Sequence, residues 1–525
     1  MATLVSPGVS VSIVDDSFFV PATAATRPLF FIATRADKTQ LDGVTPAPYS
    51  REHSVVRTIT SLQQSVEAYG IPYFRKDIAN NQLHGDARNE YGLFALNQFL
   101  TVGSAAYVVR ANIDLSDTPV TTLTAGSPQF SGVGNGSMTG FTVNQSTGHA
   151  ELWTFTCTGP SSFTVAGFVS GAQGSLTVGT PYNNGIISCT ITAGGTPFVA
   201  GDVFQVNITQ TTTSAPLGST DAVKRVSIVT ALKAEINSNT DVRSELYQYN
   251  LILCPGYPET VDALLNLNQA INEEAFIIAD TPFNLKPEDT ATWAQTIARY
   301  HSEHVAYYYP HAVASNLDGE DVFVAASGVA LKTYAYSDAV SEVWFAPAGL
   351  RRGIVTGVTS CGYVTGTLGT ATTYVQAPLN QGQRDVLYQY FTNINIIPFL
   401  PGRGIVVFGQ KTSYSSASAL DRVNVSRMII KIKRDLRINL MAYLFELNDE
   451  QTRASVKTMV DDYLHDIMVR RGLYDYLVVC SEDNNTPERI DRNELYCDIY
   501  LKPAKSIEFI HTTIKIQSTG ATLGQ

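Results

Sequence analysis

The fold is decided by residues 246–280, whose sequence is LYQYNLILCPGYPETVDALLNLNQAINEEAFIIAD. Apolar runs at 246–253 and 275–279 predict two buried strands, and the helical periodicity between them predicts a helix over 259–274. A second helix is predicted over 288–302, followed by a strand over 305–309. Strands and helices that alternate in this way indicate a largely parallel sheet covered by helices.

Working outward from this stretch, a charge-poor segment interrupts the same domain. Strand-like sequences at 27–33 and 106–110 belong with the sheet, so we predict one discontinuous α/β domain made of residues 25–117 and 221–350. Residues 118–220 carry only two charged side chains, Glu151 and Asp202, although 16% of the whole chain is charged. Short β-favouring pieces separated by glycine turns predict an inserted all-β domain there, with a low-complexity linker as the alternative.

The C-terminal third predicts a separate α+β domain over residues 351–505. It begins with predicted strands at 394–397 and 405–408, and strands at 475–480, 494–500 and 509–517 follow two helices. The first helix has an apolar stripe, and the second starts at a capping box of Asn448 and Gln451 and ends at Gly472. The stripe consists of Val425, Ile429, Ile432, Leu436 and Leu440.

Both chain ends carry an alternating strand pattern beside a segment that we predict to be an extended arm, 1–24 and 506–525. A strand on a tether has unpaired backbone groups, and it can add to the sheet of another subunit. The alternative is that both strands pair within their own chain. The residues predicted to exchange between subunits are Val9, Val11, Ile13, Ile510, Thr512, Ile514 and Ile516.

Composition excludes several function classes. The chain has 525 residues, and its 44% hydrophobic content argues against disorder. Its net charge of −11 argues against direct nucleic-acid binding. No apolar run approaches the roughly 20 residues needed to cross a bilayer, so we expect no membrane insertion. The start of the sequence lacks a secretory signal, and the six cysteines form no CxxC pair. We therefore expect assembly in the cytosol and buried thiols.

Motifs for catalysis are incomplete. Residues 404–412 resemble a phosphate loop, but Gln410 displaces the lysine and the intervening residues favour a strand. His301 and His304, with His311 nearby, match no zinc signature, and Ser327 lacks the glycine pattern of a nucleophile elbow. We predict no catalytic residue, no metal and no cofactor.

A cluster of basic residues lies on the first C-terminal helix. Between residues 422 and 437 six basic side chains accompany one acid, so we predict a positive face for an acidic partner, with a solvated face as the equal alternative. No aromatic platform accompanies it. The candidate contact residues are Arg427, Lys431, Lys433, Arg434 and Arg437.

Several short motifs occur in an order that resembles the contractile tail sheath proteins of bacteriophages and related injection systems. The N-terminal motif is SPGVSVSIVD at 6–15. The middle motifs are VFVAASGVAL at 322–331 and VWFAPAG at 343–349. The later motifs are NINIIP at 393–398, GRGIVVFGQKT at 402–412, VNVSRMIIKIK at 423–433, FELNDE at 445–450 and IEFI at 507–510. The inserted segment 118–220 shows no such resemblance.

This resemblance implies a structural subunit without enzymatic activity. Such subunits polymerise in helical rings around an inner tube and contract to drive the tube through the host cell envelope for genome delivery. The implied partners are further copies of the chain, a tail tube protein, and baseplate and tail terminator proteins, all in a virion tail. It also implies a subtilisin-like architecture for the α/β core, strand exchange by the arms, and an outward position for the insertion.

Three alternatives stay open at this point. The first is the sheath of an injection system that is not a phage. The second is an α/β hydrolase-like enzyme with an appended β domain. The third is a module that binds a receptor or a carbohydrate through the aromatic side chains of the insertion.

Overall fold

The computed structural model describes residues 26–117, 121–145, 147–212, 217–218, 220–296, 302–366 and 372–514. They form two compact units. The first unit contains the described residues up to Leu115 and those from Arg225 onward, and the second unit is Ser116–Lys224. The segment predicted as an insertion, 118–220, falls within the second unit.

The elements follow one another in chain order. The first part of the first unit contains β1 (Pro28–Thr34), β2 (Val56–Ile59), α1 (Leu62–Tyr69), α2 (Tyr91–Leu100) and β3 (Ala106–Asp114). The strands of the second unit are β4 (Thr121–Ala125), β5 (Gln129–Ser131), β6 (Ser137–Val143), β7 (Leu152–Gly159), β8 (Ser162–Gly167), β9 (Gly171–Thr177), β10 (Tyr182–Asn183), β11 (Ile187–Thr192) and β12 (Val203–Thr212).

The chain then continues through helices and strands in alternation. These are α3 (Asp221–Ser238), β13 (Leu251–Leu253), α4 (Val261–Ala270), β14 (Phe276–Asp280), α5 (Pro287–Thr296), β15 (Val305–Tyr309), β16 (His311–Ser315), β17 (Asp321–Val324), α6 (Ala326–Val340), α7 (Gly349–Arg352), β18 (Val358–Thr365), β19 (Thr373–Gln376) and α8 (Gln381–Tyr388). The last elements are β20 (Ile394–Ile396), β21 (Phe399–Leu400), β22 (Gly404–Ile405), α9 (Val423–Leu440), α10 (Glu450–Val469), β23 (Leu473–Val479), α11 (Pro487–Asp491) and β24 (Asp498–Pro503).

A seven-stranded sheet organises the first unit, in the order β2-β3-β1-β13-β14-β15-β20. Every neighbouring pair is parallel except β2 with β3. Strands β1, β14 and β15 are buried along their whole length, as expected where helices cover both faces. The mixed α/β fold predicted from residues 246–280 is therefore confirmed.

The first strand of that prediction is too long. Only Leu251–Leu253 forms β13, because the Leu246 amide donates to the Ser244 hydroxyl oxygen and turns the chain before the sheet. Residues 261–270 form the main helix, preceded by a 3₁₀ turn at Pro258–Thr260.

Two glycines set the distance between α2 and its neighbours. A Cβ on Gly92 would lie 2.8 Å from Ile32 Cγ2 on β1, and a Cβ on Gly328 of α6 would lie 2.8 Å from Ala95 Cβ on α2. Both approaches are closer than carbon atoms normally tolerate, so only glycine fits there. The resulting core includes Phe30, Phe99, Tyr308 and Leu331.

The strands of the second unit form two sheets. β4, β12, β7, β8 and β9 form one sheet with β5 added beside β12, and β10, β11 and β6 form another. Its core contains the side chains of Trp153, Phe155, Phe163, Phe198 and Phe204.

Both carboxylates of the predicted insertion are buried and hold turns. Asp202 accepts from the amides of Val133, Gly134 and Val199 at 2.8, 3.0 and 2.9 Å. Glu151 accepts from the amides of Val169 and Ser170 and from the Ser170 hydroxyl. The backbone bonds lower the pKa of Asp202. Burial raises the pKa of Glu151, but the bonds to Ser170 and Val169 outweigh it, and the pKa is lowered overall.

We predict that the second unit loses stability in acid through these two groups. A folded-state pKa below the unfolded value means that the stabilisation is present above the ordinary carboxyl pKa of about 4 and disappears as the pH falls through the folded value. Fluorescence of Trp153, followed in chains whose other two tryptophans are replaced by Phe, measures this loss. Asp202→Asn is expected to unfold this unit more readily at neutral pH and to flatten its acid dependence. An unchanged acid dependence in Asp202→Asn and Glu151→Gln would contradict the prediction.

Helices α9 and α10 and the hairpin β23–β24 share a core of their own. It contains Met428, Ile432 and Leu436 of α9 and Val460 and Leu464 of α10, which lie under Leu473 and Val478 of β23. The predicted stripe on α9 is only part of its contact surface, because the first half of the helix is buried on all sides.

The predicted capping box of α10 is displaced by one residue. Asp449 is the N-cap, and its carboxylate accepts from the Thr452 amide at 2.7 Å. Asn448 instead donates through Nδ2 to the carbonyl of Glu494. At the other end Gly472 donates to the carbonyl of Ile467, and a Cβ there would lie 2.5 Å from Ile467 Cγ2.

Two predicted strands change their bounds. Of residues 405–408 only Ile405 belongs to a strand, because the following amides alternate between two segments. The amides of Val406 and Phe408 donate to the carbonyls of Pro398 and Ile396, and the Val407 amide donates to the carbonyl of Gly353. The strand predicted over 494–500 is Asp498–Pro503, since the Asn485 side chain binds the backbone of Tyr496 and keeps it outside the ladder.

Candidate assembly surfaces

The N-terminal segment leaves the first unit at a buried ion pair. Arg427 on α9 binds Asp338 on α6 through two bonds, with Nη2 to Oδ2 at 2.5 Å and Nη1 to Oδ1 at 3.1 Å. The hydroxyl of Thr26 donates to the same carboxylate, and the Arg27 amide donates to Asn250 Oδ1 at 2.9 Å. The predicted exchange residues Val9, Val11 and Ile13 lie outside the described residues.

The C-terminal segment leaves at a second ion pair on the same helix. Glu508 binds Arg422 at distances of 2.7 Å to Nε and 3.1 Å to Nη2, and it accepts from Gln410 Nε2 at 3.1 Å. Burial lowers the pKa of Arg422, but Glu508 outweighs burial and raises it overall. Arg422 is the residue immediately before α9, so the start of this helix holds the C-terminal segment directly and pairs, through Arg427, with the Asp338 carboxylate that holds Thr26.

After Glu508 the described chain is extended and exposed. The strand predicted over 509–517 is not formed within the single chain over its described part, since residues 509–514 pair with no strand among the described residues. Phe509, Ile510 and Ile514 present their side chains to solvent, and Thr512 is exposed with them. Ile516 lies outside the described residues. Within the described residues this segment adds to no sheet edge, so its role in strand exchange stays a prediction.

A cleft of about 460 Å³ lies beside this segment. Its lining includes Tyr388, Phe408 and Ile507, which are mainly apolar, and Arg384 at the rim. Gln410 also lines it, and the Gln410 carbonyl accepts from the Val423 amide at the start of α9. The cleft therefore adjoins the N-terminal end of α9.

The hairpin β23–β24 has two open edges. Its strands pair with each other in register from Leu473 opposite Pro503 to Val479 opposite Asp498, and with no further strand within the described residues. One face packs on α9 and α10, while Tyr474, Leu477 and Tyr500 are exposed. Two-stranded sheets are marginal by themselves, and their outer backbone groups are available to added strands.

The basic face predicted on α9 is largely occupied within the chain. Arg427 is 3% exposed and paired with Asp338, and Arg434 is buried against the carbonyl of Tyr249 and Oε1 of Gln248. These two residues are therefore withdrawn as surface contacts, because the helix packs into the first unit. Lys431 binds Asp435 at 2.8 Å, and Arg437 binds Glu274 at 2.9 Å.

Lys433 is the most accessible member of the predicted set. Its side chain is 45% exposed, and its Nζ lies 3.8 Å from Glu273 Oε2. The basic residues of this helix can be located in the sequence, but the direction of each side chain cannot. Some of these charged side chains face inward and form ion pairs.

Features sought for catalysis have structural roles. Asp280 is fully buried and binds the Ser327 hydroxyl at 2.7 Å and the amides of Ser327 and Gly256. Burial raises its pKa. His311 is also buried, which lowers its pKa to about 3, and its Nδ1 accepts from the Ala326 amide. Ser327, at the N-terminus of α6, thus donates its hydroxyl to the Asp280 carboxylate, and both residues are buried.

The remaining motif residues are equally unsuited to ligands. His304 lies before β15 with Nε2 3.7 Å from Glu273, burial lowers its pKa, and His301 lies outside the described residues. No group of three metal-ligating side chains occurs among the residues that the structure describes. Within that same part of the chain, no helix has the length and apolar character needed to span a bilayer.

One exposed feature escaped the sequence analysis. The loop at residues 441–447 between α9 and α10, the "α9–α10 loop", exposes Met441, Leu444, Phe445 and Leu447. Phe445 has a φ of +70°, a left-handed conformation that is unusual for a bulky residue. The signal was the apolar run MAYLFEL, but a short apolar run does not distinguish a buried segment from an exposed one.

Two solved contractile sheath structures share the fold of this chain. Over 98% of this chain and 98% of the other, it is similar to the contracted PVC sheath complex of an extracellular contractile injection system, with a TM-score of 0.54 at 14% identity. The contracted helical sheath of the anti-feeding prophage matches with a TM-score of 0.54 at 16% identity, over 98% of this chain and 99% of that one.

Sequence comparison finds similarity to phage tail sheath proteins over part of the chain. Residues 415–517 match the family model described as the phage tail sheath C-terminal domain. The tail sheath protein of Vibrio phage KVP40 is 41% identical over 191 residues, and that of Enterobacteria phage T4 is 37% identical over 187 residues. Each match covers 36% of this chain and 26% of the relative, so the chain matches about a quarter of their length. The resemblance inferred from the ordered motifs is confirmed.

Proposed function

We propose that this chain is the structural subunit of a contractile tail sheath. It polymerises in helical rings around an inner tube and contracts to drive that tube through a host envelope. The observation that carries the proposal is the agreement of two comparisons, a sheath fold along the chain and tail sheath sequence over residues 415–517. Under this proposal the chain is part of a virion tail and has a structural role, not an enzymatic one.

Open strand edges supply the means of polymerisation. The hairpin β23–β24 offers two unpaired edges, and both terminal segments leave the body at fixed ion pairs. We propose that arms from neighbouring copies add to this hairpin, because main-chain hydrogen bonds hold a strand without fixing the angle between two bodies. A contact that repeats without closing generates a helical tube.

Further parts of the proposal concern the surroundings of the tube. The other partners are a tail tube protein and the baseplate and terminator proteins. The second unit lies on the outer wall, where an insertion does not disturb the repeat. The α/β core has the subtilisin-like architecture that the family resemblance implies.

Electron microscopy of the purified protein tests the proposal. Negative staining is expected to reveal hollow, striated tubes, either alone or on addition of the tube protein. Monodisperse subunits under every assembly condition, with and without the tube protein, would contradict it.

We predict that Lys433→Glu weakens assembly around the tube several-fold at low salt. Lys433 is the accessible cation of α9, and charge reversal replaces attraction to an acidic surface by repulsion. Sedimentation of sheath with tube measures the effect, which should shrink as salt screens both interactions. Lys286→Glu, a similarly exposed change at the start of α5, is the control. Equal loss in both variants, or none in Lys433→Glu, would remove the assignment.

A further inference from the structure

The α9–α10 loop is an apolar knob with no partner in its own unit among the described residues. Leu444, Phe445 and Leu447 all present more than half of their side chains to solvent. Scattered single apolar residues are common on surfaces, but a contiguous exposed group usually marks a contact. Phe445 also has a left-handed backbone, which is strained for a bulky residue.

The chain also carries a cleft of suitable character. The cleft beside the C-terminal segment is lined mainly by apolar groups, including Phe408, Tyr388 and Ile507, and its volume of about 460 Å³ accommodates large side chains. Phe408 and Ile507 themselves remain exposed, so this surface is available for a partner in the isolated subunit.

Charge at the two surfaces is complementary in part. The knob is bordered by the exposed carboxylates of Glu446 and Glu450. The rim of the cleft includes Arg384, and Lys505 is exposed on the adjoining segment. Asp385 and Glu508 also line the cleft, and Glu508 is paired with Arg422, so the apolar contact provides the binding.

Knob and cleft lie at opposite ends of one helix. The cleft adjoins the first residue of α9, and the knob follows its last residue. An α-helix of 18 residues is about 27 Å long, so a chain cannot fill its own cleft with its own knob. Two complementary surfaces that one copy cannot join produce a head-to-tail contact between copies.

We propose that the α9–α10 loop of one copy docks in the cleft beside the C-terminal segment of a second copy. This inference rests on the proposed function and deepens it, because it adds a side-chain contact to the strand exchange. This side-chain contact fixes the position of the neighbouring body, whereas an exchanged strand only tethers the neighbour.

Substitution at the knob gives the first test. Phe445→Asn removes the apolar side chain and keeps a residue that tolerates the left-handed backbone. We expect at least a tenfold lower tube yield at equal protein concentration, with an unchanged melting temperature because Phe445 is fully exposed. Ile78→Asn changes an equally exposed apolar residue elsewhere in the first unit and should leave the yield unchanged.

Cross-linking gives the second test. Copies with Leu444→Cys are mixed with copies with Phe408→Cys under tube-forming conditions and treated with a short bis-maleimide. Cross-linked dimers are expected from the mixture and not from either variant alone. Dimers formed instead between Val11→Cys and Phe408→Cys copies would place an N-terminal segment in the cleft and overturn the inference.

The outcomes separate the two proposals. If the wild-type chain forms no tubes, the proposed function fails. If the wild type forms tubes and Phe445→Asn forms them equally well, the sheath function stands and the knob contact is wrong.

Discussion

A chain that ends at Phe509 is expected to fold normally and to form no tubes. The truncation keeps Glu508, whose bonds to Arg422 and Gln410 anchor the segment, and removes residues 510–525, of which the described residues 510–514 are exposed. The melting temperature should therefore not change, while the donated strand is lost completely. Removal of residues 1–13 is expected to have the same effect on assembly. Size-exclusion chromatography and negative staining measure the two results.

Proline substitution distinguishes strand exchange from other uses of the arm. Successive residues of a strand point their amides in opposite directions, and proline has no amide hydrogen to donate. Thr512→Pro or Thr513→Pro, whichever amide faces the neighbour, should reduce assembly, whereas alanine at both positions should not. Normal tubes from the truncated chain would refute the exchange itself.

Arg427→Ala is expected to lower the free energy of unfolding of the first unit by about 3–5 kcal/mol. Its guanidinium is the ionic partner of the Asp338 carboxylate, which has almost no exposed surface, and removing one member of such a pair leaves a buried charge uncompensated. Urea unfolding followed by fluorescence of Trp344, whose carbonyl accepts from Asn424 on α9, measures the loss.

The control uses an exposed cation of the same helix. Lys433→Ala is expected to change the free energy by no more than about 0.5 kcal/mol, because its ion pair is solvent-exposed. A double variant, Arg427→Met with Asp338→Leu, should recover part of the loss, since it removes both charges together. A loss below about 1 kcal/mol in Arg427→Ala would mean that water or another group compensates Asp338.

The sequence predicted the parallel sheet well because its strands are continuous apolar runs. Residues 276–280 and 305–309 are buried on both faces, and their short length and their β-branched and aromatic side chains favour strands over buried helices. The strand predicted to begin at Leu246 was too long. The Ser244 hydroxyl oxygen accepts a hydrogen bond from the Leu246 amide, and the chain turns there before it enters the sheet.

The candidate surfaces were less predictable because they depend on partners far apart in sequence. Arg427 pairs with Asp338, 89 residues away, and nothing in the basic pattern of α9 distinguishes this inward residue from the outward Lys433. The exposure of Phe445 could not be predicted either, because its apolar neighbours in the sequence resemble a buried core segment.

The attachment of Glu508 to Arg422, and of Thr26 to the Asp338 partner of Arg427, has a mechanical consequence. Arg422 and Arg427 are five residues apart, which corresponds to about 7.5 Å of helix. Thr26 is two residues from the start of β1, so a pull on the N-terminal segment is shared between its bond to Asp338 and the seven-stranded sheet. A pull on the C-terminal segment reaches α9 first, through the Glu508–Arg422 pair. In a row of linked subunits, load would therefore enter each body at two elements, α6 and α9, that the Asp338–Arg427 pair joins.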